Sequence, residues 1–132
     1  MKKKLITLAV GAAVMASSFN VYASTSWKSY STTVGKYNGS GYTGYDHVKS
    51  SSGANGQVKS SSVGGDYVVD VRMQDAQGNS GDWARNLGDN ETLTLDGHKN
   101  HIKGDSMRLH FSNDWNTPVN VQVSGTWRSD IN

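Results

Sequence analysis

Val119-Asn120-Val121-Gln122-Val123-Ser124-Gly125-Thr126-Trp127-Arg128 decides the fold class. Val119, Val121, Val123 and Trp127 share one parity, while Asn120, Gln122, Ser124, Thr126 and Arg128 share the other. A period of two sends successive side chains to opposite faces, so this run predicts a half-buried β-strand with its valines inward. Gly125 interrupts the apolar parity and predicts a bulge or a close approach of another strand. Pro118 stands just before the run, where its missing N–H costs a ladder least.

The same alternation recurs upstream. Met107, Leu109 and Phe111 face away from Arg108 and His110, and Leu93 and Leu95 alternate with Thr92 and Thr94. Tyr67, Val69, Val71 and Met73 form another stripe opposite Asp70 and Arg72. No window keeps apolar residues at helical spacing. Seven strands are expected: Trp27–Val34, Tyr45–Ser52, Gln57–Val63, Tyr67–Met73, Glu91–Asp96, Ser106–Asn113 and Val119–Arg128. Short strands separated by turn residues indicate an all-β fold, a small antiparallel β-sandwich. The pentapeptide Val48-Lys49-Ser50-Ser51-Ser52 repeats as Val58-Lys59-Ser60-Ser61-Ser62 around Asn55-Gly56. Asn-Gly suits a type I′ turn, which predicts an exposed polar hairpin with Val48 opposite Val63.

Three lysines at positions 2–4, an apolar run from Leu5 to Ala16 and the small residue Ala23 have the form of a secretory signal. The apolar run is too short to span a bilayer, which takes about 20 residues. The expected organisation is a signal peptide at 1–23, cleaved after Ala23, and one sandwich domain at 24–132. Its product is secreted and has no membrane span. The whole chain has 13 basic and 11 acidic residues, but Lys2, Lys3 and Lys4 leave with the signal. Ten basic residues then face eleven acidic ones, a balance of −1, which argues against nucleic acid as a partner. Without cysteine the domain has no disulfide staples and depends on its core.

Candidate sites are few. Asp75 to Asp82 places oxygen-bearing side chains close together, as calcium loops do, but lacks the glycine placement and distal glutamate of an EF-hand. His98 and His101 lack further ligands for zinc and sit among lysines. Gly104-Asp105-Ser106 opens a strand after Lys103, so it reads as a tight turn rather than a nucleophile elbow. The expectation is therefore no metal, no cofactor and no enzymatic activity. Aromatic residues in flexible surroundings are the better lead. Trp115 lies in the turn Ser112–Pro118, and Tyr37, Tyr42 and Tyr45 lie in a glycine-rich stretch. Tyrosine among serine, glycine and asparagine makes adaptable contact loops. A cell-surface glycan or protein is the expected partner of these four residues.

The signal sequence, Val63-Gly64-Gly65-Asp66-Tyr67, Gly81-Asp82-Trp83-Ala84-Arg85-Asn86 and Val121–Ser129 together resemble small uncharacterised secreted proteins of Gram-positive bacilli. That resemblance implies a secreted β-domain and supplies no functional residues. More distantly, the size, export signal, lack of cysteine and glycine-tyrosine-rich front are similar to lactococcin-type sandwich bacteriocins. This chain ends in Ile131-Asn132 rather than in that family's aromatic residue. The expected function is a non-enzymatic binding domain acting at the cell surface or in the medium, and the alternative is an antibacterial protein. A small hydrolase or a protease inhibitor is the third possibility, requiring a catalytic pocket or a rigid exposed loop.

Overall fold

Alternation along the chain becomes two antiparallel sheets packed face to face. The computed structural model describes residues 24–132, so the expected signal segment lies outside the described residues. In chain order the strands are β1 (Lys28–Val34), β2 (Ser40–Tyr42), β3 (His47–Val48), β4 (Gly56–Val63) and β5 (Val69–Asp75). They continue with β6 (Ala84–Leu87), β7 (Thr92–Leu95), β8 (Ser106–Asn113) and β9 (Val121–Arg128). One sheet has the order β1-β9-β4-β7. The other has the order β2-β8-β5-β6, with β3 also paired to β8. Among the described residues no helix is long and apolar enough to cross a membrane.

The core lies between the sheets. Val34, Val58, Val121, Val123 and Trp127 enter from the first sheet, and Val71, Met73, Leu109 and Phe111 from the second, all essentially inaccessible. Tyr30 meets Phe111 across the interface with ring centroids 5.3 Å apart. The parity of β9 is therefore as the sequence predicts: Val121 and Val123 are buried and Gln122 is exposed. Gly125 marks both a bulge and a close approach. Opposite it the β4–β9 register shifts between Ser60 and Ser62. A Cβ at Gly125 would stand 2.1 Å from the Lys59 carbonyl oxygen and 2.9 Å from the Tyr30 hydroxyl.

Four local expectations are corrected. Val119 is 45% exposed, because β9 begins only at Val121. The strand expected over Tyr45–Ser52 shortens to His47–Val48, and two short strands, β2 and β6, were not anticipated. The hairpin at Asn55-Gly56 does not form. Val48 pairs with Ser106 in one sheet and Val63 with Val123 in the other. Gly56 is needed for proximity rather than for turning, since a Cβ there would stand 2.5 Å from the Arg128 carbonyl oxygen. Lys49, expected on a polar ribbon, is fully buried in an ion pair with Asp130.

Candidate functional site

The outer face of the second sheet is built from alternate residues of β5 and β8, which point away from the core that Val71, Met73, Leu109 and Phe111 fill. Antiparallel register sets Arg72 opposite His110 and Gln74 opposite Arg108. Tyr42 of β2 stands opposite His110 on the other side of β8. Aromatic and guanidinium planes fill this surface. Arg72 lies 4.2 Å from the Trp83 ring centroid, and Arg108 lies 4.1 Å from that of Tyr42 and 4.7 Å from that of Tyr45. Tyr42 stacks on His110 with centroids 4.5 Å apart, and Trp83 tilts against the same imidazole at 4.9 Å. An arginine over an aromatic face gains about 0.5–2 kcal/mol and loses rotamer freedom, so the array is held in place before any ligand arrives.

Hydrogen bonds fix the chemistry of each member. Arg72 Nε donates to His110 Nδ1 at 3.1 Å, which makes Nδ1 the acceptor and puts the imidazole proton on Nε2. That proton faces Ser40 Oγ at 3.0 Å. His110 is held neutral: burial, then the charges of Arg72 and Arg108, push its pKa down to about 4. Arg108 donates from Nε and Nη2 to Gln74 Oε1 at 2.9 and 2.6 Å. A glutamate there would orient the guanidinium equally well and cancel its charge; glutamine orients it and leaves the charge available. Among the described residues neither Arg72 nor Arg108 pairs with a carboxylate. Asp70, the acidic neighbour on β5, is taken by Arg85 at 2.6 Å and by the Asn86 N–H at 3.1 Å.

All four sequence-predicted contact residues are on the surface, but they form two pairs. Tyr42 and Tyr45, 43% and 40% exposed, belong to the arginine–aromatic face. Tyr37 and Trp115, 58% and 78% exposed, occupy two loops that cross between the sheets at one end. Those loops are tied together, since the Tyr37 N–H donates to Thr117 O at 2.8 Å and the Asn38 N–H to Asp114 O at 3.0 Å. Tyr37 has φ 54 and Asn38 φ 61, left-handed backbone that a bulky aromatic residue adopts rarely. Along β8 the outward row Arg108, His110 and Ser112 leads from the Tyr45 end to the Trp115 loop. The sequence reading missed Trp83, Arg72, Arg108, His110 and Gln74 as site members. Strand parity had put Arg72, Arg108 and His110 on outer faces, and only the cross-strand register unites them.

The other sequence candidates are committed elsewhere. The buried Asp75 carboxylate accepts the N–H groups of Gln77 and Asn79 at 3.0 and 2.8 Å, and Asn79 Nδ2 at 3.0 Å, closing its own loop. His101 donates from Nε2 to Asn79 O at 2.8 Å and accepts the His98 N–H on Nδ1 at 3.2 Å. Burial foremost pulls its pKa down. Asp105 accepts the Ile102 N–H at 3.0 Å in a turn where Gly104 has φ 98, and Ser106 opens β8. Compared with protein families, with curated proteins and with solved structures, the chain finds no match.

Proposed function

We propose that the chain is a secreted, non-enzymatic binding domain whose ligand is an anionic cell-surface glycan lying along β8. Export is the reading of Lys2–Lys4, the apolar run and Ala23. The observation that carries the ligand class is the pairing of Arg108 with Gln74, a neutral partner, on a face where three aromatic rings lie beside two guanidiniums free of carboxylates. Sugar rings stack on aromatic faces, and a guanidinium fork matches carboxylate or phosphate groups. The acids leave this face clear. Asp70 and Asp75 are the acidic residues in the strands of the second sheet, and both are buried with partners of their own.

Isothermal titration of the mature domain with polygalacturonate, against uncharged dextran, tests this. Polygalacturonate binds and dextran does not. Gln74→Glu keeps the fold and places a carboxylate against Arg108, weakening binding at this face by about tenfold or more, a charge-assisted hydrogen bond alone being worth about 1.5 kcal/mol. Equal binding to dextran, or tighter binding to single-stranded DNA, would overturn the anionic-glycan assignment.

A further inference from the structure

The outer face of the first sheet repeats the same device. Gln57 and Arg128 are direct cross-strand partners, as Gln74 and Arg108 are in the second sheet. Arg128 donates from Nε and Nη2 to Gln57 Oε1 at 3.1 and 2.5 Å, the two-to-one geometry that Arg108 makes with Gln74. Its guanidinium lies 4.6 Å from the centroid of the Trp27 ring, and the Lys59 ammonium lies over the same ring at 4.4 Å. Lys59 is exposed, and among the described residues neither cation pairs with a carboxylate. The four strands of this sheet contain no acidic residue at all. A domain of net charge near zero has thus moved its acids to loops and partnered positions, and has left stacked cations on both broad faces.

We propose that this face, centred on Trp27, Lys59 and Arg128, is a second site for the same anionic glycan, so that one molecule bridges two polymer chains. The inference rests on the anionic-glycan reading above and deepens it. The sheets of a sandwich stack about 10 Å apart and their outer faces point in opposite directions, so one straight polymer cannot lie on both. Two independent sites on a monomer and many sites on a polymer make a cross-linked network, in which avidity exceeds the affinity of either face.

The experiment mixes the mature domain with long polygalacturonate over a range of ratios, reading light scattering for cross-linking and titration calorimetry for binding. Wild type scatters strongly at intermediate ratios and clears again in excess protein, where every polymer site is filled singly. Gln57→Glu, which sets a carboxylate against Arg128, and Lys59→Gln each still bind, with about half the sites per domain, and lose most of the scattering. Gln74→Glu does the same from the other face, and the double variant Gln57→Glu, Gln74→Glu loses both signals. Melting temperatures within a few degrees of wild type show that the variants are folded. Binding with one site per domain, or scattering unchanged in Gln57→Glu and Lys59→Gln, overturns the second site and leaves the first standing. No binding by wild type overturns both.

Discussion

Lys49 and Asp130 meet 3.0 Å apart with neither side chain reached by solvent. The ammonium also donates to Ala54 O at 2.5 Å and Ser129 O at 2.6 Å, so all three protons are placed. Asp130 accepts the N–H groups of Ser50 and Ser51 at 3.0 and 3.3 Å. Burial pulls the Lys49 pKa down against its bond to Asp130. The Asp130 pKa lies below the ordinary range: burial works to raise it, and the Ser50 N–H and Lys49 more than offset that. The pair ties the C-terminal residues to the segment after β3, where a chain without cysteine has no disulfide to do so.

Removing one partner strands the other charge in the interior. Lys49→Met is expected to lose about 3–5 kcal/mol in urea unfolding, and Asp130→Asn a similar amount. Lys49→Met combined with Asp130→Asn removes both charges and loses clearly less than the sum of the single variants. Strict additivity in the double-mutant cycle would show that the two side chains do not act as a unit.

In the core, Val121→Asp puts an unpaired carboxylate where Val121 is 1% exposed, at a cost of several kcal/mol. Gln122→Asp, on the exposed face, loses only side-chain bonds to Thr33 and Ser31 and stays within about 0.5 kcal/mol of wild type. Thermal melts of the two variants decide it, and equal melting temperatures would contradict the face assignment.

The fold was legible where burial is one-sided, because the hydrophobic effect then writes a period of two into the strand. β9, β8, β5 and β7 carry it. The repeated pentapeptide shows where such reading stops. Val48-Lys49 and Val58-Lys59 are identical locally, yet Lys49 is buried against Asp130 while Lys59 is exposed over Trp27. The difference comes from partners distant in the chain, Asp130 near its end for one and Trp27 far upstream for the other, which no local pattern encodes. β2 is too short to display a period, and in β6 the two apolar residues, Ala84 and Leu87, fall on opposite parities. The arginine–aromatic face was half legible for the same reason: parity puts Arg108 and His110 outward, whereas Tyr42 joins them through register and Trp83 from the segment just before β6.

Acid should weaken the fold in a defined window. Folded His110 takes up its proton near pH 4 against an ordinary value of 6.5, because burial and then Arg72 and Arg108 oppose the charge. Above pH 6.5 both folded and unfolded forms are neutral and there is no penalty. Between 6.5 and 4 the unfolded chain holds the extra proton, so stability falls as pH falls, and the penalty is complete below 4. His47 and His101 are shifted the same way, burial again foremost, while Asp46, raised by burial, works in the opposite sense. The melting temperature is expected to drop from pH 7 to pH 4, and His110→Gln to flatten part of that drop. A pH profile identical in wild type and His110→Gln would refute the assignment.

Trp115 should matter for long ligands and not for short ones. It is 78% exposed in a loop, so Trp115→Ala is expected to leave the melting temperature unchanged. Its place is beyond Ser112, at the far end of the outward row that begins with Arg108. From Arg108, β8 runs on to Asn113, roughly 17 Å at about 3.4 Å per residue, so a short oligosaccharide centred on Arg108 ends before the Trp115 loop. A longer chain reaches it and meets Trp115 and Tyr37, two loop aromatics tied together by the Tyr37 N–H to Thr117 O bond of 2.8 Å. Tyr42→Ala, by contrast, removes a ring that stacks on His110 and lies under Arg108, and weakens ligands of every length. The measurement is calorimetric titration of wild type, Trp115→Ala and Tyr42→Ala with galacturonate trimers and with long polygalacturonate. Trp115→Ala binds the trimer as wild type does and the polymer several-fold more weakly, while Tyr42→Ala is impaired with both. Equal losses for Trp115→Ala on trimer and polymer would place Trp115 at the centre of the site rather than at its end, and no loss on either would leave its indole outside the contact surface.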